Sequence, residues 1–175
     1  MLGERPTIEK VVVVRHALDA EGGYLAPEGR NQCQRLVRLM NEIRDDDSRA
    51  YSWTIFSSTT PRAVETVMEV SRGLLTWGAP QTSPGLTGAR APFDDTMCLV
   101  SQLDPKVRAL LFVVHVYNVE PVIRAVCEQV APGFKVRLPW PENTRFRANN
   151  TGGVVIDIKH GATRMIDGSV AGAAS

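Results

Sequence analysis

Val11-Val12-Val13-Val14-Arg15-His16 is the stretch from which the fold is read. Four consecutive β-branched residues leave no polar face, so the run suits a strand covered on both sides, as inside a parallel sheet. Two side chains able to carry charge then stand at its carboxyl end. The pattern returns at residues 110–114, an apolar run that ends in His115. A third short strand is expected over 53–56, running into the polar Ser57-Ser58-Thr59-Thr60.

Helical signals fall between these strands. After a loop at 17–26 holding Gly22 and Gly23, Pro27 opens a helix with Glu28 in its first turn. Cys33, Leu36, Val37, Met40 and Ile43 then recur at three- and four-residue steps, with Arg35, Arg38, Glu42 and Arg44 between them. Pro61 opens a second helix with Thr60 as its N-cap, and Val64, Val67, Met68, Leu74 and Leu75 share one face. Residues 79–95 hold three prolines and two glycines with no regular pattern, which marks them as a candidate lid or substrate loop. A short helix is expected over 96–103 and a longer one over 119–130. Strands over 154–158 and 163–166 follow, joined by a His160-Gly161 turn. Strands alternating with helices imply an α/β protein with a mainly parallel sheet and helices on both faces. One domain is expected over 1–167, with 168–175 as a flexible tail.

Composition narrows the function classes. The 175 residues carry 20 Lys and Arg against 19 Asp and Glu, a balance that gives no reason to propose a nucleic-acid partner. Most of the positive charge is arginine, whose planar fork matches phosphate and carboxylate. Cys33, Cys98 and Cys127 have neither the even count of a disulfide scaffold nor the spacing of a zinc site. No run of about 18 apolar residues is present, and the first residues lack the pattern of a leader. These features lead to an expected soluble, cytoplasmic protein with no membrane partner.

In a parallel sheet, ligands bind outside the carboxyl ends of the strands. Arg15, His16, His115 and the loop after Phe56 all map to that edge. A neutral imidazole can attack phosphorus and carry the phosphoryl group, which makes His16 the candidate nucleophile. Phosphoryl transfer spreads charge over three equatorial oxygens, and Arg15, Arg62 and His115 are candidates to neutralise it. Arg62 also lies near the start of a helix, where free N–H groups favour an anion.

The segment 11–17 resembles the opening strand and Arg-His motif of the histidine phosphatase (phosphoglycerate mutase-like) superfamily. In order after it, residues 25–32 resemble the approach to that family's first helix, and 56–66 its serine-rich turn and phosphate-binding arginine. Residues 111–115 resemble the second-histidine strand, and 150–153 the C-terminal end. The resemblance spans about residues 10–160 and in size is nearest the SixA-like phosphohistidine phosphatases. It implies a three-layer α/β/α sandwich with a mainly parallel central sheet and an antiparallel edge strand. It further implies His16 as the phosphorylated residue, Arg15, Arg62 and His115 as its phosphate pocket, and no metal or cofactor. The expected substrate is a phosphorylated small molecule or a phosphoprotein: a phosphomonoester or a protein phosphohistidine. The alternative is a catalytically inactive phosphate-binding or regulatory member of the fold. Three departures bear on that choice. Ala17 and Val116 stand where glycine is usual after each histidine, placing a methyl group close to the pocket in the case of Ala17. Gly88 takes the place of the usual proton-donating glutamate. Asp94 and Asp95 are candidate replacements for that acid, and Arg90, Arg145 and Arg147 are candidate substrate-binding residues.

Overall fold

The structure, a computed structural model, describes residues 6–88, 93–140 and 149–169. Strand β1 (Lys10–Arg15) carries the valine run, with Val11 to Val14 wholly buried. Its two sides explain the absence of a polar face. Val12 and Val14 pack with Leu36 and Met40 of α1 (Pro27–Asn41) and Val67 and Val70 of α2 (Pro61–Ser71). Val11 and Val13 pack on the other face with Val100 of α3 (Asp94–Ser101) and with Val122, Ile123 and Val126 of α4 (Val119–Val130). Helices therefore cover both sides of one sheet.

The remaining strands are β2 (Trp53–Ser57), β3 (Gln81–Thr82), β4 (Ala109–Val114), β5 (Gly152–Asp157) and β6 (Ala162–Asp167), ordered β3-β2-β4-β1-β5-β6. β1, β4, β2 and β3 pair in parallel, while β5 pairs antiparallel with both β1 and β6. The antiparallel hairpin β5–β6 forms one edge of this mainly parallel α/β sandwich. The register matches Arg15 with Val114 and Ser57 with Val113, so three strands end level with one another. Phe56 and Phe112 stack at 5.0 Å beneath this edge and stiffen its middle.

Several sequence expectations need correction. On α2 the buried stripe is Ala63, Thr66, Val67 and Val70, whereas Met68 and, beyond the helix, Leu75 are exposed. Val67 and, beyond the helix, Leu74 are buried as expected, but the helix stops at Ser71, so its period does not carry on to Leu75. Thr60 does occupy the N-cap position, but its hydroxyl bonds Ser58 Oγ at 3.1 Å and makes no side-chain cap. The described parts of 79–95, residues 79–88 and 93–95, hold more regular structure than their composition suggests. They hold β3, a 3₁₀ turn at Pro84–Leu86 with Leu86 fully buried, and the first two residues of α3, Asp94 and Asp95. Of the expected tail, Gly168 and Ser169 are tied to α1, because Arg35 Nε donates to the Gly168 carbonyl at 2.7 Å. Among the described residues, no helix is long and apolar enough to cross a membrane.

Candidate active site

His16 follows the last residue of β1, and its N–H donates to the Val114 carbonyl at 3.0 Å, which extends the β1–β4 pairing by one residue. The residue is 4% exposed. Its Nδ1–H donates to the Ala17 carbonyl at 2.8 Å. This bond fixes the tautomer and leaves the Nε2 lone pair free. Ala17 is held in turn, since its N–H donates to Thr66 Oγ1 at 3.0 Å and that hydroxyl donates to the Arg62 carbonyl at 2.7 Å. The first turn of α2 is thereby tied to the backbone beside His16. The Ala17 methyl, expected close to the pocket, belongs to the buried apolar cluster under α1 and α2.

His115 arrives from the end of β4 and lies edge-on to His16, with ring centroids 5.2 Å apart and an interplanar angle of 70°. Its Nε2 is 3.3 Å from Ser58 Oγ. Tyr117 stacks on the His115 ring at 5.6 Å. Arg62, the second residue of α2, donates from Nη1 to Asp19 Oδ2 at 3.0 Å, while its Nε is buried without a hydrogen-bond partner among the described residues. Arg15 is half-buried at the end of β1. Arg15, His16, Arg62 and His115, from three separate segments, thus meet at the carboxyl edge of the sheet.

The electrostatics of this cluster favour an anion. Burial pushes the His16 imidazole down to about 4, with the charges of Arg62, His115 and Arg15 adding to the effect and the Ala17 carbonyl opposing it. Burial and the same two arginines lower His115. Burial also lowers Arg15, with Arg62 contributing and Asp19 opposing. Cationic groups that lower one another's proton affinity in a shielded site gain most when a negative ligand joins them. His16 is neutral at physiological pH, with a lone pair on Nε2.

A stability prediction follows from this burial. The unfolded chain binds a proton at His16 near the ordinary value of 6.5, the folded chain only near 4. Stability from this group is therefore present above pH 6.5 and is lost as pH falls through that window, by roughly 3 kcal/mol. Denaturant unfolding of the wild type and His16→Gln near pH 7 and near pH 4 should show the smaller acid loss in the variant.

The other expected site residues fall differently. Asp94 and Asp95 are exposed in the first turn of α3, where negative charge complements the helix dipole. Arg90, Arg145 and Arg147 lie outside the described residues. Val116 opens a 3₁₀ turn, Val116–Asn118, whose last residue is buried. Asn118 Nδ2 donates to the carbonyls of Leu86 at 3.1 Å and Gly88 at 2.7 Å, and Thr87 Oγ1 accepts the Thr59 N–H at 2.9 Å. The Gly88 segment is thus tied to both the second histidine's turn and the serine-rich turn.

Asp19, Thr66, Ser58 and Asn118 were not singled out from the sequence. Asp19 is three residues past His16 in a loop that folds back on itself through a bridge to Leu25. Gly29 permits that fold, because a Cβ there would lie 2.1 Å from the Leu18 carbonyl oxygen. An acid so close in sequence to an Arg-His pair was the available signal. Among the described residues no group of three or more His, Cys, Asp or Glu side chains is arranged to hold a metal ion.

No protein-family model and no curated protein matches the sequence. Solved structures do match. The protein histidine phosphatase SixA complexed with tungstate aligns with 91% of this chain and 97% of its own, at TM-score 0.58 and 16% identity. SixA from Agrobacterium tumefaciens aligns with 91% and 96%, at TM-score 0.54 and 19% identity. Mycobacterial hydrolase 1 aligns with 90% and 96%, at TM-score 0.51 and 13% identity. At these identities the likeness concerns the fold alone, the α/β sandwich that this chain shares with the two SixA structures.

Proposed function

We propose that this protein is a phosphatase that hydrolyses a phosphomonoester or a protein phosphohistidine through a covalent phosphohistidine on Nε2 of His16. The observation that carries the reading is the pairing of a buried, neutral His16, its Nδ1–H held by the Ala17 carbonyl at 2.8 Å, with the His115 ring at 5.2 Å and a buried, unbonded Arg62 Nε. Nε2 attacks phosphorus and the bond to the leaving atom breaks. Arg15, Arg62 and His115 hold the phosphoryl oxygens as their charge spreads. Water then attacks the same phosphorus, the P–N bond breaks, and its electron pair returns to Nε2 as phosphate leaves.

The structural neighbours named as SixA are histidine phosphatases, and a phosphohistidine substrate suits this site as well. Gly88 leaves the usual donor position without an acid, and a phosphoramidate depends less on one because its leaving nitrogen can already carry a proton. Gly88 equally favours the second reading, a module that binds phosphate without turning it over. The two separate on one assay: hydrolysis of an aryl phosphate and of a phosphohistidine peptide with no added divalent cation. The phosphatase reading expects turnover, and binding of vanadate with no turnover of either substrate would replace it with the second.

Arg62→Lys keeps the charge and removes the planar fork. A loss on the order of 10²–10³-fold in kcat/KM is expected, the scale of deleting one pre-placed donor. An unchanged kcat/KM would remove Arg62 from the phosphate pocket.

A further inference from the structure

Among the described residues, Asp19 is the acid whose side chain bonds one of the four site residues, through Arg62 Nη1 at 3.0 Å. We propose that Asp19 is the acid–base group of this site, protonating the leaving atom as His16 is phosphorylated and deprotonating water as the phosphoryl group departs. This assignment rests on the phosphatase reading above.

The placement supports it in two ways. The Asp19 backbone is fixed by its bridge to Leu25, and the Ala26 N–H donates to the Leu18 carbonyl at 3.0 Å, so the loop that carries the carboxylate to Arg62 is held in place. The side chain is 26% exposed, open to a ligand. The charged and titratable groups facing it are Arg62 from α2, Arg15 from the end of β1, and the imidazoles of His16 and His115.

Without a ligand, burial pushes the Asp19 carboxyl up, but the hydrogen bond and charge of Arg62 outweigh it and the net direction is down. The resting group is a carboxylate. A phosphoryl group held by the same guanidinium shares its charge with Asp19 and brings further negative charge beside the carboxylate, which favours its protonation. The proton comes in with the substrate monoanion, the form that still carries its second proton and that predominates below pH about 6.

The bonds then balance. In the first step Nε2 of His16 forms a bond to phosphorus, the P–O or P–N bond to the leaving group breaks, and that atom takes the Asp19 proton. In the second, Asp19 takes a proton from the attacking water, a P–O bond forms, and the P–N bond breaks with its electron pair returning to His16.

The test is Asp19→Asn, which retains an oxygen able to accept from Arg62, with Asp19→Glu as the conservative rescue. Each is assayed on an activated nitrophenyl phosphate and on an unactivated alkyl phosphate, with the phosphoenzyme quantified after rapid quench. The proposal expects Asp19→Asn to lose on the order of 10²-fold or more in kcat/KM on the alkyl ester and far less on the nitrophenyl ester. It also expects the phosphoenzyme to accumulate, the alkaline fall of the wild-type pH profile to flatten, and Asp19→Glu to recover part of the loss. An equal loss on both esters, with weaker vanadate binding and no accumulation, would assign Asp19 only to positioning Arg62 and overturn the proposal. A wild type with no turnover and no adduct would instead overturn the phosphatase reading itself.

Discussion

Replacing His16 with alanine is expected to lower turnover on the order of 10⁴-fold or more and to abolish any phosphoenzyme, while vanadate still binds. The reason lies in how the site is assembled. The groups proposed to hold phosphate reach the edge from segments that do not pass through the His16 ring: Arg62 from α2, Arg15 from β1 and His115 from β4. The positive cluster therefore survives the truncation, and with it anion affinity. His115 is poorly placed to substitute, because its ring stands edge-on at 5.2 Å with Nε2 turned to Ser58 at 3.3 Å. Turnover measured beside vanadate binding on the same preparation checks the prediction. Retained turnover would move the chemistry away from His16, and lost vanadate binding would show that the ring itself organises the pocket.

The second large effect is on the fold. Gly153→Ala is expected to destabilise the protein by about 4 kcal/mol or more, with loss of the cooperative native state in mild denaturant. A Cβ at Gly153 would lie 2.0 Å from the Val13 carbonyl oxygen and 2.7 Å from Val14 Cα. Those are backbone atoms of a strand held on its other side by β4 from Lys10 to Arg15, so β1 has nowhere to retreat. The alternative is for β5 to pull away, which breaks the pairing of residues 10–14 with Gly153 to Asp157. The site would suffer too, because the Thr151 N–H just before β5 donates to the Arg15 carbonyl at 3.1 Å and lies 3.3 Å from that of His16. Denaturant unfolding followed by tryptophan fluorescence checks it, and a midpoint close to the wild type would show that β5 tolerates the methyl group.

The parts of this architecture legible in the sequence are those whose burial repeats. The valine run could be placed between two helical layers because it lacks a polar face, and parallel strands then bring Arg15, His16 and His115 to one edge. Pro61 and the polar turn before it similarly located Arg62 at a helix start. β3 was invisible because two residues carry no period. The beginning of α3 was assigned to a loop because prolines and glycines dominate 79–93, although the acids Asp94 and Asp95 are a first-turn signal. β5 starts at Gly152, two residues earlier than its apolar run, since the close approach of β1 there requires the absence of a side chain. The partners that orient the site were hidden for another reason. Thr66, Asp19 and Asn118 act through contacts 49, 43 and 30 to 32 residues away in sequence, and periodicity reports burial within an element rather than proximity between elements.

The central claim is that His16 carries the phosphoryl group, and the most direct measurement is to find it there. Wild-type protein is mixed with an aryl phosphate, quenched within one turnover under alkaline conditions that preserve phosphohistidine, and examined by peptide mass spectrometry and ³¹P NMR. The account predicts an acid-labile phosphoryl group on Nε2 of His16, absent from His16→Ala. A turning-over enzyme with no trapped adduct, or an adduct on another residue, would contradict it.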